Sequence, residues 1–291
     1  MKKIQYVRLP CGLCGGRDFD DLFTKIDREN SLRQPIEVHV VKCKGCGLIA
    51  ANPRIKDIYS LYNKDYYKEE FAPYEAEQLR IESAVPAFHR IENIIGKKAG
   101  RLIDLGCGSG VFLNGVIKAS DKWEMHGLDI TNFLRGPAKS KVKFHRMTID
   151  NVCKIKDKFD LAVMIEVAEH LTDPVKTFTA VNKALKEGGW LFISTANLES
   201  ITAKIRGDRE AYYKAAHVTY WSPKTIRKCL ERCGFSVKVK PMHNGYWREF
   251  RMNKSFTTLK NAATLSVFNK LHFRDTFLIG GMNVFAQKVT K

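Results

Sequence analysis

The stretch Arg101-Leu-Ile-Asp-Leu-Gly-Cys-Gly-Ser-Gly110 limits what this chain can fold into more than any other. Leu102, Ile103 and Leu105 form an apolar run broken only by Asp104. Gly106, Gly108 and Gly110 follow, and Val111 to Lys118 carries apolar residues at helical spacing. This order predicts a buried strand, a tight turn and a helix. Glycines let the backbone come close to a ligand, and a helix N-terminus offers free N–H groups. The Lys-Ser/Thr ending of a phosphate-binding P-loop is not present here. A carboxylate beside a glycine turn suits a ligand that brings donors of its own, such as an amine and a ribose.

The residues around it extend the pattern. Val85, Phe88, Ile91, Ile94 and Ile95 predict a helix ending at Gly96. Trp123 to Ile130 reads as a second strand with Asp129 at its tip, where an acid binds ribose hydroxyls in doubly wound folds. Val142–Phe144, Phe159–Ile165, Trp190–Thr195, Phe235–Lys240 and Gly281–Lys288 read as further strands. Asp173-Pro174 opens a helix expected to run to Glu187-Gly188-Gly189, and Ser222-Pro223 opens one that reaches Cys233 before Gly234. Strands that alternate with helices mean an α/β domain with a mostly parallel sheet. Its ligands belong at the carboxyl edge of the strands.

Ahead of this domain, Cys11-Gly-Leu-Cys14 and Cys43-Lys-Gly-Cys46 are two C-x-x-C pairs, each followed by glycine, at Gly15 and Gly47. Two such turns can aim four thiolates at one point, the donor set of a closed structural zinc site. Phe19–Phe23 and Ile36–Val41 between them read as short strands, so residues 1–52 are expected to be a zinc ribbon. His39 sits mid-strand and is read as a packing or surface residue. Residues 53–84 hold Tyr59, Tyr62, Tyr66, Tyr67 and Tyr74 in a charged, helical-looking segment, either a connector packed on the main domain or an aromatic lid. The main domain is expected over 85–291, with a basic insertion at about 248–275.

Composition narrows the function classes. The chain has 291 residues, room for one large core plus a small module. No apolar stretch reaches the roughly 20 residues that span a bilayer, and the N-terminus lacks the apolar region of a secretory signal. A cytoplasmic protein with its eight cysteines reduced is therefore expected. Cys107, Cys229 and Cys233 read as core packing. The formal net charge is +18, and residues 224–291 carry fourteen Lys/Arg against three Asp/Glu. That asymmetry fits a solvated basic surface, or an anionic partner such as RNA, a membrane surface or a phosphorylated substrate.

The run Asp104-Leu-Gly-Cys-Gly-Ser-Gly110 resembles the first motif of the class I methyltransferases that use S-adenosylmethionine (SAM). The likeness continues through Gly127-Leu-Asp129, Lys158-Phe-Asp160 to Asp173-Pro174, Leu185 to Leu191 and Gly234-Phe235. The resemblance implies a seven-stranded, mostly parallel, doubly wound Rossmann-like sheet with an antiparallel last hairpin. It implies that Gly106, Cys107, Gly108 and Gly110 approach the methionine part of SAM, with Asp104 near its amine. Asp129 would hold the ribose, Ile130 would pack on adenine, and Thr148 and Ile149 would lie at the adenine edge. Thr148 stands where the family often has an acid, which Asp150 could supply. Glu166 would line the methyl-transfer site. The Gly136-Pro137 pair breaks a segment that is usually helical in that family.

Methyl transfer needs a base only when the nucleophile holds its proton tightly. Glu166, His170 and His217 are the candidate catalytic residues, with Glu169 beside them. Glu166-x-x-Glu169-His170 resembles the E-x-x-E-H of ubiquinone-pathway O-methyltransferases and of small-RNA 2′-O-methyltransferases. On a helix, Glu166 and His170 would share one face and could hold, with Glu169, a second divalent metal. The alternative is that Glu169 and His170 are satisfied locally. The resemblance predicts methyl transfer from SAM to a small-molecule, sugar or phosphorylated acceptor, most often at oxygen. The alternatives are RNA methylation and a non-catalytic SAM-fold binding subunit. The basic insertion would cap the acceptor site, pack on the domain, or dock the protein peripherally on a membrane.

Overall fold

The computed structural model describes residues 4–62, 77–241 and 280–290. Tyr66, Tyr67, Tyr74 and the basic insertion at 248–275 lie outside the described residues. From the N-terminus, β1 (Tyr6–Val7), β2 (Phe19–Asp27), β3 (Ile36–Cys43), β4 (Ile49–Ala51) and β5 (Arg54–Ile55) lead to a 3-10 turn at Ile58–Leu61. Next come α1 (Gln78–Ile95), β6 (Gly100–Leu105), α2 (Val111–Ala119), β7 (Trp123–Asp129), α3 (Ala138–Lys141), β8 (Lys143–Arg146) and β9 (Phe159–Ile165). Then follow α4 (Pro174–Ala184), β10 (Leu185–Ala196), α5 (Ile201–Arg206), β11 (Thr219–Tyr220), α6 (Pro223–Arg232), β12 (Phe235–Pro241) and β13 (Gly281–Lys288).

Seven strands make one sheet in the order β12-β13-β10-β9-β6-β7-β8. The pairs among β10, β9, β6, β7 and β8 are parallel, and β13 runs antiparallel to both β10 and β12. Both faces of the central strands are buried, so alternation sorts residues between two cores. Leu102, Leu161, Val163, Phe192 and Phe285 face α1 and α2, where they pack with Phe88, Ile91, Leu113 and Val116. Ile103, Leu105, Ala162, Met164 and Ile193 face α4 and α6, where they pack with Phe178, Val181, Ile226 and Leu230. The three-layer, Rossmann-like architecture expected from the sequence is present.

Some element limits differ from the reading of the sequence. The first helix starts at Gln78, ahead of the boundary expected at 85. α4 is capped by Asp173, whose carboxylate accepts the Lys176 N–H at 3.0 Å, but it ends at Ala184. Leu185 already pairs with Phe159, and β10 runs on through a bulge before Trp190, so Gly188-Gly189 lies inside a strand and not at a helix end. The segment around Gly136-Pro137 keeps a single helical turn, α3. Among the described residues no helix is long and apolar enough to cross a membrane.

The N-terminal module is joined to the main domain rather than appended to it. Its sheet has the order β11-β4-β3-β2, and β11 belongs to the main chain far downstream. Thr219 pairs with Ala50 and Tyr220 with Ile49. Cys11, Leu13, Cys43, Cys46 and Leu48 belong to the same apolar core as Phe178 and Trp221. Arg232 donates to the Leu13 carbonyl at 2.5 Å, and Lys25 to the Glu210 carbonyl at 2.8 Å.

Candidate active site

A cleft of about 1370 Å³, its open mouth included, lies at the carboxyl ends of β6, β7 and β9. Its floor is the opening stretch of the sequence. Gly106 N–H and Cys107 N–H both donate to the Leu128 carbonyl, at 2.7 and 3.1 Å, which ties the glycine loop to β7. Gly106 has φ 79°, and a Cβ there would stand 2.7 Å from a Val167 methyl. Only glycine meets both conditions without displacement. Asp129 accepts from Gly108 N–H at 3.0 Å and Thr131 N–H at 3.3 Å, so one carboxylate orders the turns on both sides of it.

Asp104 is buried at the base of the cleft, 4 % exposed. Burial, with the Asp129 charge adding to it, pushes its carboxyl up to about 8. Such a group holds a proton until a cation arrives. Cys107 lines the cleft, but burial and the two carboxylates push its thiol well up, which makes it inert filler.

Ile130, Thr148, Ile149 and Asp150 form one side wall. Asp150 is already engaged: Thr177 Oγ1 donates to it, and Lys176 Nζ pairs with it at 3.2 Å. Gly110, expected on the cofactor, is not among the cleft residues. It is the N-cap of α2 with φ 80°, and its N–H closes the turn on the Cys107 carbonyl at 2.8 Å.

The opposite wall is the loop after β9. Glu166 lines the cleft in a left-handed conformation, φ 52°, with its N–H donating to the Ser194 carbonyl at 2.9 Å. A non-glycine residue held there costs about 1 kcal/mol or more, and such residues cluster at functional sites. The helix that would put Glu166 and His170 on one face does not form. The chain turns sharply at Glu166, and only Ala168–His170 forms a 3-10 turn. Glu166 and His170 therefore do not share a helix face, and of the set Glu166/Glu169/His170 read from the sequence, Glu166 is not among the donors that cluster. The donor atoms that do converge, within 4.8 Å of one another, belong to Glu169, His170 and His217.

Of these three, only His170 lines the cleft. Glu169 is fully buried and accepts from Thr195 Oγ1 at 3.0 Å and from the Tyr212 hydroxyl. Burial and the nearby Glu166 and Glu169 charges push the Tyr212 hydroxyl well above its usual value, so it stays a donor. His217 is buried with Nδ1 donating to the Tyr212 carbonyl at 2.6 Å. These contacts satisfy Glu169 locally. In His170, Nδ1 donates to the Ala216 carbonyl at 2.9 Å. A carbonyl only accepts, so the proton of the neutral ring is on Nδ1 and the lone pair on Nε2.

Several cleft residues carry no signal in the motifs. Ile58, Tyr59, Tyr62 and Arg80 close the side next to the N-terminal module. Of the tyrosines read as a packed connector or an aromatic lid, Tyr59 and Tyr62 lie within the described residues. Glu77, at the start of α1, is buried and accepts from Ser109 Oγ at 2.9 Å, which latches the helix to the glycine loop. Burial raises its carboxyl, and its Oε2 has no hydrogen-bond partner among the described residues. A polar pair 32 positions apart has no local periodicity to reveal it.

The four paired cysteines form a second site. Cys11 and Cys46 sulfurs are 3.5 Å apart, as are those of Cys14 and Cys43, and all four lie within 4.8 Å. Tetrahedral zinc with bonds of about 2.3 Å sets sulfurs about 3.8 Å apart, so the set fits. The two turns match each other. Gly15 N–H donates to the Cys11 carbonyl and Gly47 N–H to the Cys43 carbonyl, both at 2.8 Å, and both glycines have φ 78°.

Residues 76–238 match the model of a family described as "Methyltransferase domain". A ubiquinone biosynthesis O-methyltransferase of Hydrogenovibrio crunogenus is 30% identical over 127 residues, 41% of this chain and 49% of the relative. A tRNA U34 carboxymethyltransferase of Campylobacter fetus is 24% identical over 159 residues, 52% of this chain and 56% of the relative. The chain thus spans about half the length of the curated relatives it matches. Among solved structures, the plantazolicin methyltransferase BamL, in complex with a triazolic desmethylPZN analog and SAH, shares the fold. Its TM-score is 0.54 at 14% identity, over 80% of this chain and 93% of that one.

Proposed function

We propose a reaction for this chain from its family: it belongs to the class I SAM-dependent methyltransferases, whose cofactor supplies a methyl group already activated for in-line attack. The reaction proposed is methyl transfer to an oxygen of a small acceptor. Asp129 would hold the cofactor's ribose hydroxyls, the Gly106–Gly108 backbone its amino-acid part, and Ile130, Thr148 and Ile149 its base. Asp104 fits the cationic amine, because its buried carboxyl is pushed up to about 8 by burial and by Asp129. His170 takes the acceptor's proton on Nε2, and Glu166 helps to orient the acceptor. The zinc ribbon is structural in this account. The observation that carries the reading is His170 on the wall of the Asp104–Asp129 cleft with its tautomer fixed by Ala216.

The test separates chemistry from cofactor binding. His170→Gln is expected to lower the rate of transfer from radiolabelled SAM about 100-fold or more, with cofactor affinity held within about twofold. An unchanged rate removes His170 as the base.

Asp104 also gives the site a pH signature. An unfolded chain would ionise it near its ordinary value of about 3.9, the folded chain near 8. Folding thus takes up a proton between these limits. Its contribution to stability is greatest at the acid end and is lost as pH rises toward 8. Binding a cation there releases that proton. Cofactor affinity should therefore rise between about pH 6 and 7.5, by at most about tenfold per unit. Calorimetric titration in buffers of different ionisation enthalpy measures the release directly, and buffer-independent heats would exclude it.

A further inference from the structure

We propose that the N-terminal ribbon and the connector that follows it are a working part of the active site, with Arg54 and Tyr62 of the connector as positioning residues for the loop that carries His170. The proposal rests on the reading of His170 as the base and adds to it how that residue is held.

The loop Glu166–Thr172 is hung from two directions. From the N-terminal side, Arg54 Nη2 donates to the Thr172 carbonyl at 3.1 Å. The Tyr62 hydroxyl oxygen lies 2.8 Å from His170 Nδ1 and accepts from the same N–H that donates to the Ala216 carbonyl. Arg54 is itself fixed to the start of the chain, since Val7 of β1 pairs with it. From the other side, Val218 N–H donates to the Glu169 carbonyl at 2.9 Å, Thr219 Oγ1 to Leu171 at 3.2 Å and Trp221 Nε1 to Ala168 at 2.9 Å.

That second set of donors is held by the ribbon. Ala51 N–H donates to the Val218 carbonyl at 3.1 Å, and Ala215 N–H to the Asp27 carboxylate at 2.8 Å. β4, which pairs with β11, follows the Cys43–Cys46 turn, where Cys43 N–H donates to the Leu48 carbonyl at 2.9 Å. The thiolate site, β4, β11 and the His170 loop are thus one hydrogen-bonded series. Among the described residues the backbone hydrogen bonds of the cofactor floor lie outside this series: Gly106, Cys107 and Gly108 are bonded to Leu128 and Asp129 of β7, and Gly106 meets the loop only by packing on Val167. A contiguous network of this kind can carry coupling between two sites. Loss of the ribbon's metal would then loosen the loop and leave the floor in place.

The experiment uses the zinc-loaded chain of 291 residues before and after stripping the metal with a chelator. Amide hydrogen exchange reports local opening without any acceptor. The His170 and Val218 amides are expected to exchange at least about tenfold faster on metal loss, with Gly106, Gly108 and the SAM affinity unchanged. Unaltered exchange at His170 and Val218 would overturn the proposal. So would equal loss of protection at Gly106 and Gly108, because the metal would then support the whole domain.

A variant that keeps its zinc gives a second reading. Tyr62→Phe should lower kcat about tenfold and leave KM for SAM alone; parallel changes in both, or none in either, would count against a positioning role. If exchange responds as expected but His170→Gln keeps full turnover, the base assignment fails and the coupling stands.

Discussion

Asp129→Ala is expected to raise the dissociation constant for SAM about 100-fold. The carboxylate has two tasks. It is placed to take the ribose hydroxyls, and it already accepts from Gly108 N–H and Thr131 N–H, fixing the turns that border the cleft. Hydrogen bonds to a charged acceptor are worth about 1.5–3 kcal/mol each, and about 1.4 kcal/mol is a tenfold change in affinity. Asp129→Asn keeps acceptor oxygen and shape, so it should lose less. The variant should fold, because Asp129 sits at the end of β7, with its neighbour Leu128 still paired into the sheet. Isothermal titration with SAM reads the difference; equal affinity in wild type and Asp129→Ala would displace the cofactor from this strand tip.

Cys43→Ser should have the largest effect on stability. Cys43 is 1 % exposed, and its sulfur faces Cys14 at 3.5 Å inside the core shared with Phe178 and Trp221. Structural zinc in isolated fingers is worth about 10 kcal/mol or more. Here the module also packs on α4 and α6, so part of its structure should outlast the metal. A fall in Tm of about 10 °C or more is expected for a domain of this size, together with loss of bound zinc from one per chain to none. Metal analysis of the wild-type protein purified under reducing conditions checks the premise. No zinc there, or an unchanged Tm in the variant, would refute the zinc ribbon.

Much of the fold could be read from local pattern. Asp104 to Gly110 gave the strand, turn and helix in place, and the buried run Phe159–Ile165 gave the central strand with its limits. Such stretches are apolar on both faces or punctuated by glycine, and the signal lies within a few residues. The two C-x-x-C pairs gave the sulfur cluster because thiol geometry is set by a five-residue turn repeated twice.

What stayed hidden depends on distant partners. β11 is two residues long, and only its pairing with β4 makes it a strand. The Glu77–Ser109 latch and the Arg54 and Tyr62 contacts cross from one region of the chain to another. Glu166-x-x-Glu169-His170 has helical spacing, but the chain turns at Glu166 with a positive φ, and the donor atoms that cluster are those of Glu169, His170 and His217. Glu166 and His170 go to the cleft and Glu169 to the interior. Spacing drew these residues together as candidates, while backbone conformation and burial determine which of them meet.

The most direct test of the account is a crystal structure of the chain with S-adenosylhomocysteine. The expected complex has ribose hydroxyls on Asp129, the amine beside Asp104, and the sulfur facing the part of the cleft bounded by Glu166 and His170. Density for the cofactor product away from Asp104 and Asp129, or a sulfur turned from His170, would contradict it.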